Sequence, residues 1–243
     1  MAIDQTLARA FETTWPAAEY RDLGGFRIGR GLGGGGRISS ALALGPDWQE
    51  DAIPAVARIQ KDWDQIAQFR VWEDDTRLTE ALARHGYGGL RPTELHVVEI
   101  SRLTDRVPPP LTAFEIWPPL AIQREIWAEG NISAPRQAAM ERVTLPRTAL
   151  LGRLDDHASG AAFVAVDGDV AMIHAVEVAP KMRRRGMAEW LVRQAAIWGA
   201  AQGARRLALA MTASNAPAAG LYGKLGFEKA ASYRYWEHLP AKA

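Results

Sequence analysis

The run Val176-Glu-Val-Ala-Pro-Lys-Met-Arg-Arg-Arg-Gly-Met-Ala188 leads an apolar strand to a proline, adds four basic residues, and opens a strongly apolar stretch at a glycine. That order outlines an anion site. The first amides of a helix have no intrahelical partner and the dipole makes that end positive, so N–H groups from about Arg183 to Ala188 can point at a diphosphate. Gly186 and the small Ala188 admit a ligand close to the backbone, while Lys181, Arg183 and Arg184 raise the local potential. Four basic residues by themselves read more readily as a solvated loop capping an ordinary helix. Further on, Asn215-Ala-Pro-Ala-Ala-Gly-Leu-Tyr222-Gly-Lys-Leu-Gly-Phe227 sets a tyrosine on a helical stretch behind a turn-forming asparagine. A phenol with a reference pKa of about 10 stays protonated at neutral pH and can donate to a departing anion. The competing account is a tyrosine packed in the core with its hydroxyl at the surface. Glu177 can take up a proton, but alternation puts it on the opposite strand face from Val176 and Val178 unless a bulge re-aims it.

Periodicity places these residues on elements. Thr148 to Leu154, Ala161 to Val166 and Val170 to Val178 read as three strands, the last two joined by the Asp167-Gly168-Asp169 turn. A helix is predicted from Gly186 to about Ala201, a strand over Arg206 to Met211, a helix over Ala216 to Leu225 and a last strand over Ser232 to His238. Phe114 to Trp117 reads as a strand, followed by helical material to Val143 that is broken near Asn131-Ile-Ser-Ala-Pro135. In the first half, Phe26 to Arg30, Ile38 to Leu44, Phe69 to Trp72 and Leu95 to Ile100 read as strands, with helices at Glu50 to Gln65 and Arg77 to Arg84. Pro108-Pro109-Pro110 marks a boundary between residues 1–107 and 108–243, because consecutive prolines donate no ladder hydrogen bonds and favour extended backbone. A weak repeat spans it: a shift of 140 lays Phe69–Tyr87 on Leu209–Phe227, with Asp75 on Asn215 and Gly86 on Gly226.

Composition limits the chemistry. The chain has 243 residues, 48% of them hydrophobic, which is enough to bury a substantial core. It has no cysteine, which removes disulfides, thiolate metal sites and a cysteine nucleophile. The 29 basic and 28 acidic residues leave a net charge of +1, too even for a nucleic-acid coat. No apolar stretch approaches the length of a membrane helix, and Met1 to Ala10 lacks an apolar leader region, so a cytoplasmic protein is expected. The five histidines include no pair at metal-ligand spacing, and no metal is expected. The loop Gly31-Leu-Gly-Gly-Gly-Gly36 lacks a Gly-Lys-Ser/Thr ending and precedes a predicted strand, so it reads as a hairpin loop and only secondarily as a nucleotide cradle.

Taken together, Arg183-x-x-Gly186-x-Ala188 after Val176-x-Val178-x-Pro180, with the Asn215 to Phe227 segment 29 residues beyond Gly186, resembles the two signatures of the Gcn5-related N-acetyltransferase (GNAT) family. The resemblance is strong over Thr148 to Trp236. It implies a mixed α/β fold whose two adjacent parallel strands splay apart to admit the pantetheine arm of acetyl-CoA. The backbones of Val176 and Val178 would face that arm, and Arg183, Arg184, Arg185, Gly186, Met187 and Ala188 would hold the pyrophosphate. Asn215 would contact the cofactor, Tyr222 would serve as the acid, and Glu177 or water as the base. With no cysteine, the acetyl group would pass directly to a primary amine, on a small molecule or a protein, without an acyl-enzyme. Under the repeat, the first half resembles a second GNAT-like sheet that has lost this chemistry. Leu82 stands at the position of Tyr222, and Asp47-Trp-Gln-Glu-Asp51 stands where the arginines lie. Neither nucleic acid nor membrane is an expected partner, and a monomer or homodimer is equally compatible. A non-catalytic acyl-CoA-binding regulatory module remains the alternative.

Overall fold

The computed structural model describes residues 3–238. The first segment runs α1 (Gln5–Thr13), β1 (Glu19–Leu23), β2 (Phe26–Arg30), α2 (Gly36–Ser39), β3 (Ala41–Ala43), α3 (Ile53–Asp62), β4 (Gln68–Trp72), α4 (Thr76–Arg84) and β5 (Tyr87–Glu99). After the prolines come β6 (Ala113–Ile116), α5 (Ala121–Glu129), α6 (Ala134–Arg142), β7 (Arg147–Leu154), β8 (His157–Asp167), β9 (Val170–Val178), α7 (Met187–Ala201), β10 (Arg206–Thr212), α8 (Ala216–Lys224) and β11 (Glu228–His238).

The strands form one sheet in the order β1-β2-β3-β4-β11-β5-β10-β9-β8-β7-β6. Only β3–β4 and β9–β10 pair in parallel. Outward from the central β11–β5 pair the same succession of pairings therefore runs on both sides, with β6 as an extra strand beyond β7. Where the sequence suggests a sheet for each segment, the two segments build a single sheet by exchanging their last strands. β11 lies between β4 and β5 of the first segment, and β5 lies between β11 and β10 of the second. The exchange satisfies ladder groups that β4 and β10 would otherwise leave at open edges.

The repeat is visible in backbone detail. Asp75 and Asn215 each cap the following helix through the side chain, accepting from Leu78 N and Ala218 N, and their dihedrals are −86°, 73° and −81°, 72°. Gly86 and Gly226 share φ +81°. α3 and α7 begin 134 residues apart, at Ile53 and Met187. Leu82 is fully buried in the core between β2, β4 and α3, and Trp48, from the acidic stretch, is buried against Phe26.

α7 buries Met187, Leu191, Val192, Ala195, Ala196 and Trp198 at helical spacing over β7 to β10. Its N-terminal end sits unusually close to the sheet because two strand positions lack side chains. A Cβ on Gly152 would lie 2.2 Å from Met187 Sδ, and one on Gly160 would lie 3.1 Å from Leu191 Cδ1 and 3.2 Å from Met187 Cγ.

Candidate active site

The parallel strands β9 and β10 are paired only from Val170↔Arg206 to Met172↔Ala208, and beyond that point they part. A bulge in β9 causes the departure. Its register against β8 jumps between Glu177↔Ala161 and His174↔Phe163, with Ala175 in the left-handed region at φ +50°. The bulge is held from the α5 side, where Trp127 Nε1 donates to the Ala175 carbonyl at 2.9 Å. A cavity of about 400 Å³ opens between Ile173 to Val176 on one strand and Leu209 to Thr212 on the other.

At the C-terminal end of β9 the chain turns into α7 through Gly186, whose φ of +84° favours glycine. No amide from Arg184 to Glu189 donates to an acceptor within the described chain. The free run starts one residue later than the sequence suggests, because Arg183 N bonds to the Pro180 carbonyl. Two of the three arginines are already engaged. Arg183 donates to Val178 O at 3.0 Å and to Glu177 Oε1 at 2.9 Å, and Arg185 pairs with Asp155 at 2.6 Å. Arg184 has no such partner among the described residues. The side chains of Met187, Val176 and Val178 pack into the core beneath α7, which leaves their backbones as the groups a ligand can meet.

Tyr222 lies on α8 and lines the cavity, its ring 5.4 Å from Phe227. No described residue hydrogen-bonds its hydroxyl, and burial alone pushes its pKa up to about 12. It is therefore a protonated donor without a protein acceptor, in the cavity between the parted strands. Asn215 also lines the cavity, with its side-chain oxygen occupied in capping α8.

Residues 115–227 match the model of the acetyltransferase (GNAT) family. This segment belongs to the GNAT family. A search of curated proteins gave no match. Among solved structures, a GCN5-related N-acetyltransferase from Kribbella flavida is 17% identical, covering 98% of this chain and 93% of its own at a TM-score of 0.64. A conserved protein of unknown function from Staphylococcus epidermidis is 11% identical, with 90% and 93% coverage and a TM-score of 0.66. A tandem GNAT protein from the clavulanic acid biosynthesis pathway is 16% identical, with 84% and 76% coverage and a TM-score of 0.63. At these identities the likeness is one of fold.

Within this GNAT site, Glu177 does not stand where the sequence reading wanted a base. Its carboxylate is held by Arg183 beside Gly130 at the end of α5, and it does not line the cavity. The bulge falls before Glu177 and turns the strand without bringing this side chain inward. The glycine loop is a second departure. It is followed by the short helix α2, not a strand, and Gly34, Gly35 and Gly36 border the same cavity as Tyr222. α2 forms because Ile38 and Ser39 turn inward, with the Ser39 carbonyl accepting from Gln60 Nε2 at 2.9 Å.

The far wall of the GNAT cavity comes from the first segment and from His174 of β9. Arg37 Nη1 approaches His174 Nδ1 at 3.3 Å; a guanidinium only donates, so Nδ1 accepts and Nε2 carries the proton toward Thr14 Oγ1 at 2.9 Å. Thr14 in turn donates to the Ala10 carbonyl at 2.6 Å. Burial, reinforced by the Arg37 charge, holds His174 well below its usual pKa, so the ring is neutral at neutral pH. Sequence spacing gave no sign of this wall, since Thr14, Arg37 and His174 meet only through the tertiary fold. No cluster of three potential metal ligands occurs among the described residues, and no described helix is long and apolar enough to cross a membrane.

Proposed function

We propose that the protein is an N-acetyltransferase that moves the acetyl group of acetyl-CoA directly to a primary amine. The observation that carries this reading is Tyr222, a protonated phenol without a protein partner in the gap between the parted strands. When bound, acetyl-CoA supplies an activated thioester carbonyl. The amides of Arg184 to Glu189 and the Arg184 side chain hold the diphosphate, and the unpaired backbone edges of β9 and β10 hold the pantetheine. The amine nitrogen forms the new C–N bond as the C–S bond breaks, and Tyr222 gives its proton to the departing sulfur. The surplus proton of the amine leaves to water, and water re-protonates Tyr222. Glu177 positions Arg183 and is not assigned the proton.

The first segment, on this reading, lends a wall to the acceptor site and holds no second diphosphate, since buried Trp48 and the adjoining carboxylates occupy the matching turn. The test is thermal stabilisation by acetyl-CoA followed by thiol release across a panel of amines. Stabilisation together with amine-dependent release is expected. Stabilisation without release from any amine would instead favour a non-catalytic acyl-CoA-binding module.

A further inference from the structure

The acceptor end of the cavity is lined by arginines and by no carboxylate. Its wall contains Arg37, Arg91 and Arg136 and no aspartate or glutamate. Arg91 is paired with Glu237. Arg136 donates only to the Asn131 carbonyl, at 3.1 Å. Arg37 is the most enclosed of the three. Its guanidinium lies 3.7 Å from the centroid of the Phe11 ring, and its protein partners are the Phe11 carbonyl and His174 Nδ1, both uncharged. The one carboxylate nearby, Glu12, is bound by the still deeper Arg70. Three of the five Arg37 N–H groups therefore have no acceptor in the protein.

An enclosed arginine without a carboxylate is costly to fold around, and its usual function is to receive an anion from outside the chain. The diphosphate does not meet this need, because its cradle is the N-terminus of α7, whereas Arg37 sits beside His174 on the wall built by the first segment. We infer that Arg37 receives the carboxylate of the acceptor, and that the acceptor is a small molecule bearing both a primary amine and a carboxylate, an amino acid. This rests on the transferase reading above and specifies its second substrate. The carboxylate accepts from the free Arg37 N–H groups, which directs the amine toward the gap where Tyr222 lies. The same cationic wall disfavours the ammonium form of the bound amine and so favours the neutral nucleophile that attack requires. A polycation such as a polyamine meets three arginines and no carboxylate, and is rejected. Burial depresses the Arg37 pKa to about 10, which still leaves the group charged at neutral pH.

The test compares matched acceptors: free amino acids, their amides, and the amines left by removal of the carboxyl group. Thiol release should favour the free acid by about 30-fold or more in kcat/KM, the loss expected when a partner is removed from an enclosed charge pair. R37Q should abolish that preference while leaving stabilisation by acetyl-CoA unchanged, and R37K should retain part of it. Calorimetry on the wild-type protein with CoA gives a readout independent of turnover and of variant folding. An N-acetylamino acid should bind and its amide should not. Equal turnover of acid and amide, equal binding of the two products, or preference for polyamines would overturn the inference while leaving the transferase reading intact. Absence of thiol release from every amine would overturn both.

Discussion

Replacing Tyr222 with phenylalanine removes one oxygen and leaves the ring where it is. The ring is fixed by Phe227 at 5.4 Å and by its place in the core beneath α7, and no described residue hydrogen-bonds the hydroxyl. Stability should therefore hold within about 0.5 kcal/mol. The chemical step should suffer. A positioned general acid contributes about 10²- to 10⁴-fold, so kcat should fall by that factor, roughly 3 to 5 kcal/mol of barrier, with KM for acetyl-CoA unchanged. Because burial holds the phenol at about 12, the wild-type rate should show no loss from this group at any pH up to roughly 10. Steady-state thiol release from pH 6 to 10, together with thermal melts of both proteins, measures each quantity. A Y222F enzyme with kcat within about threefold of wild type would refute the acid assignment.

Three further outcomes are expected. Gly186→Val places a β-branched residue at φ +84° on the turn proposed to hold the diphosphate, whereas Gly203→Val does so at φ +91° with no atom within 4 Å. Both should lose about 1 to 2 kcal/mol of stability, but only the first should lose stabilisation by acetyl-CoA in a melting assay. Glu177→Gln frees Arg183 without touching the cavity, so kcat should stay within about fivefold; loss of activity by two orders of magnitude would return the base role to Glu177. His174 has a folded pKa below its unfolded value, so its contribution to stability is complete above about pH 6.5 and is lost as acid drives the ring toward protonation. Urea midpoints should fall between about pH 6.5 and 5 in the wild type and fall less in His174→Gln.

The elements of the proposed cofactor side were legible because they depend on local order. A strand, a proline, arginines, a glycine and a helix occur consecutively, and an asparagine cap precedes the tyrosine helix in the same way. The acceptor side was not legible. Arg37 and His174 are brought to the cavity of Tyr222 by strand order, with Thr14 behind the His174 ring, and no spacing in the sequence announces it. α1 left a readable trace, Asp4 capping a turn with Leu7, Ala10 and Phe11 on its inner face, yet strand and helix patterns farther on drew the assignment away from it. The surroundings of Glu177 were hidden for a related reason. Alternation predicts which face a side chain occupies, but the arginine six residues later decides what it holds.

The exchange of β5 and β11 bears on how the protein is made. When β5 leaves the ribosome, β4 has no partner on one side and β5 none on either, and the strand that fills the gap begins about 130 residues later. At ~5–20 residues per second, on the order of ten seconds pass before β11 is available. During that interval the nascent chain presents the bare edge of β4, with buried-type residues Phe69 and Val71, to any other chain in the same state. Two ribosomes translating one message would supply such a chain nearby. The same strand swap that closes one molecule can then close two, so slow translation or dense polysome loading should yield interlocked dimers that dilution of the finished protein does not separate.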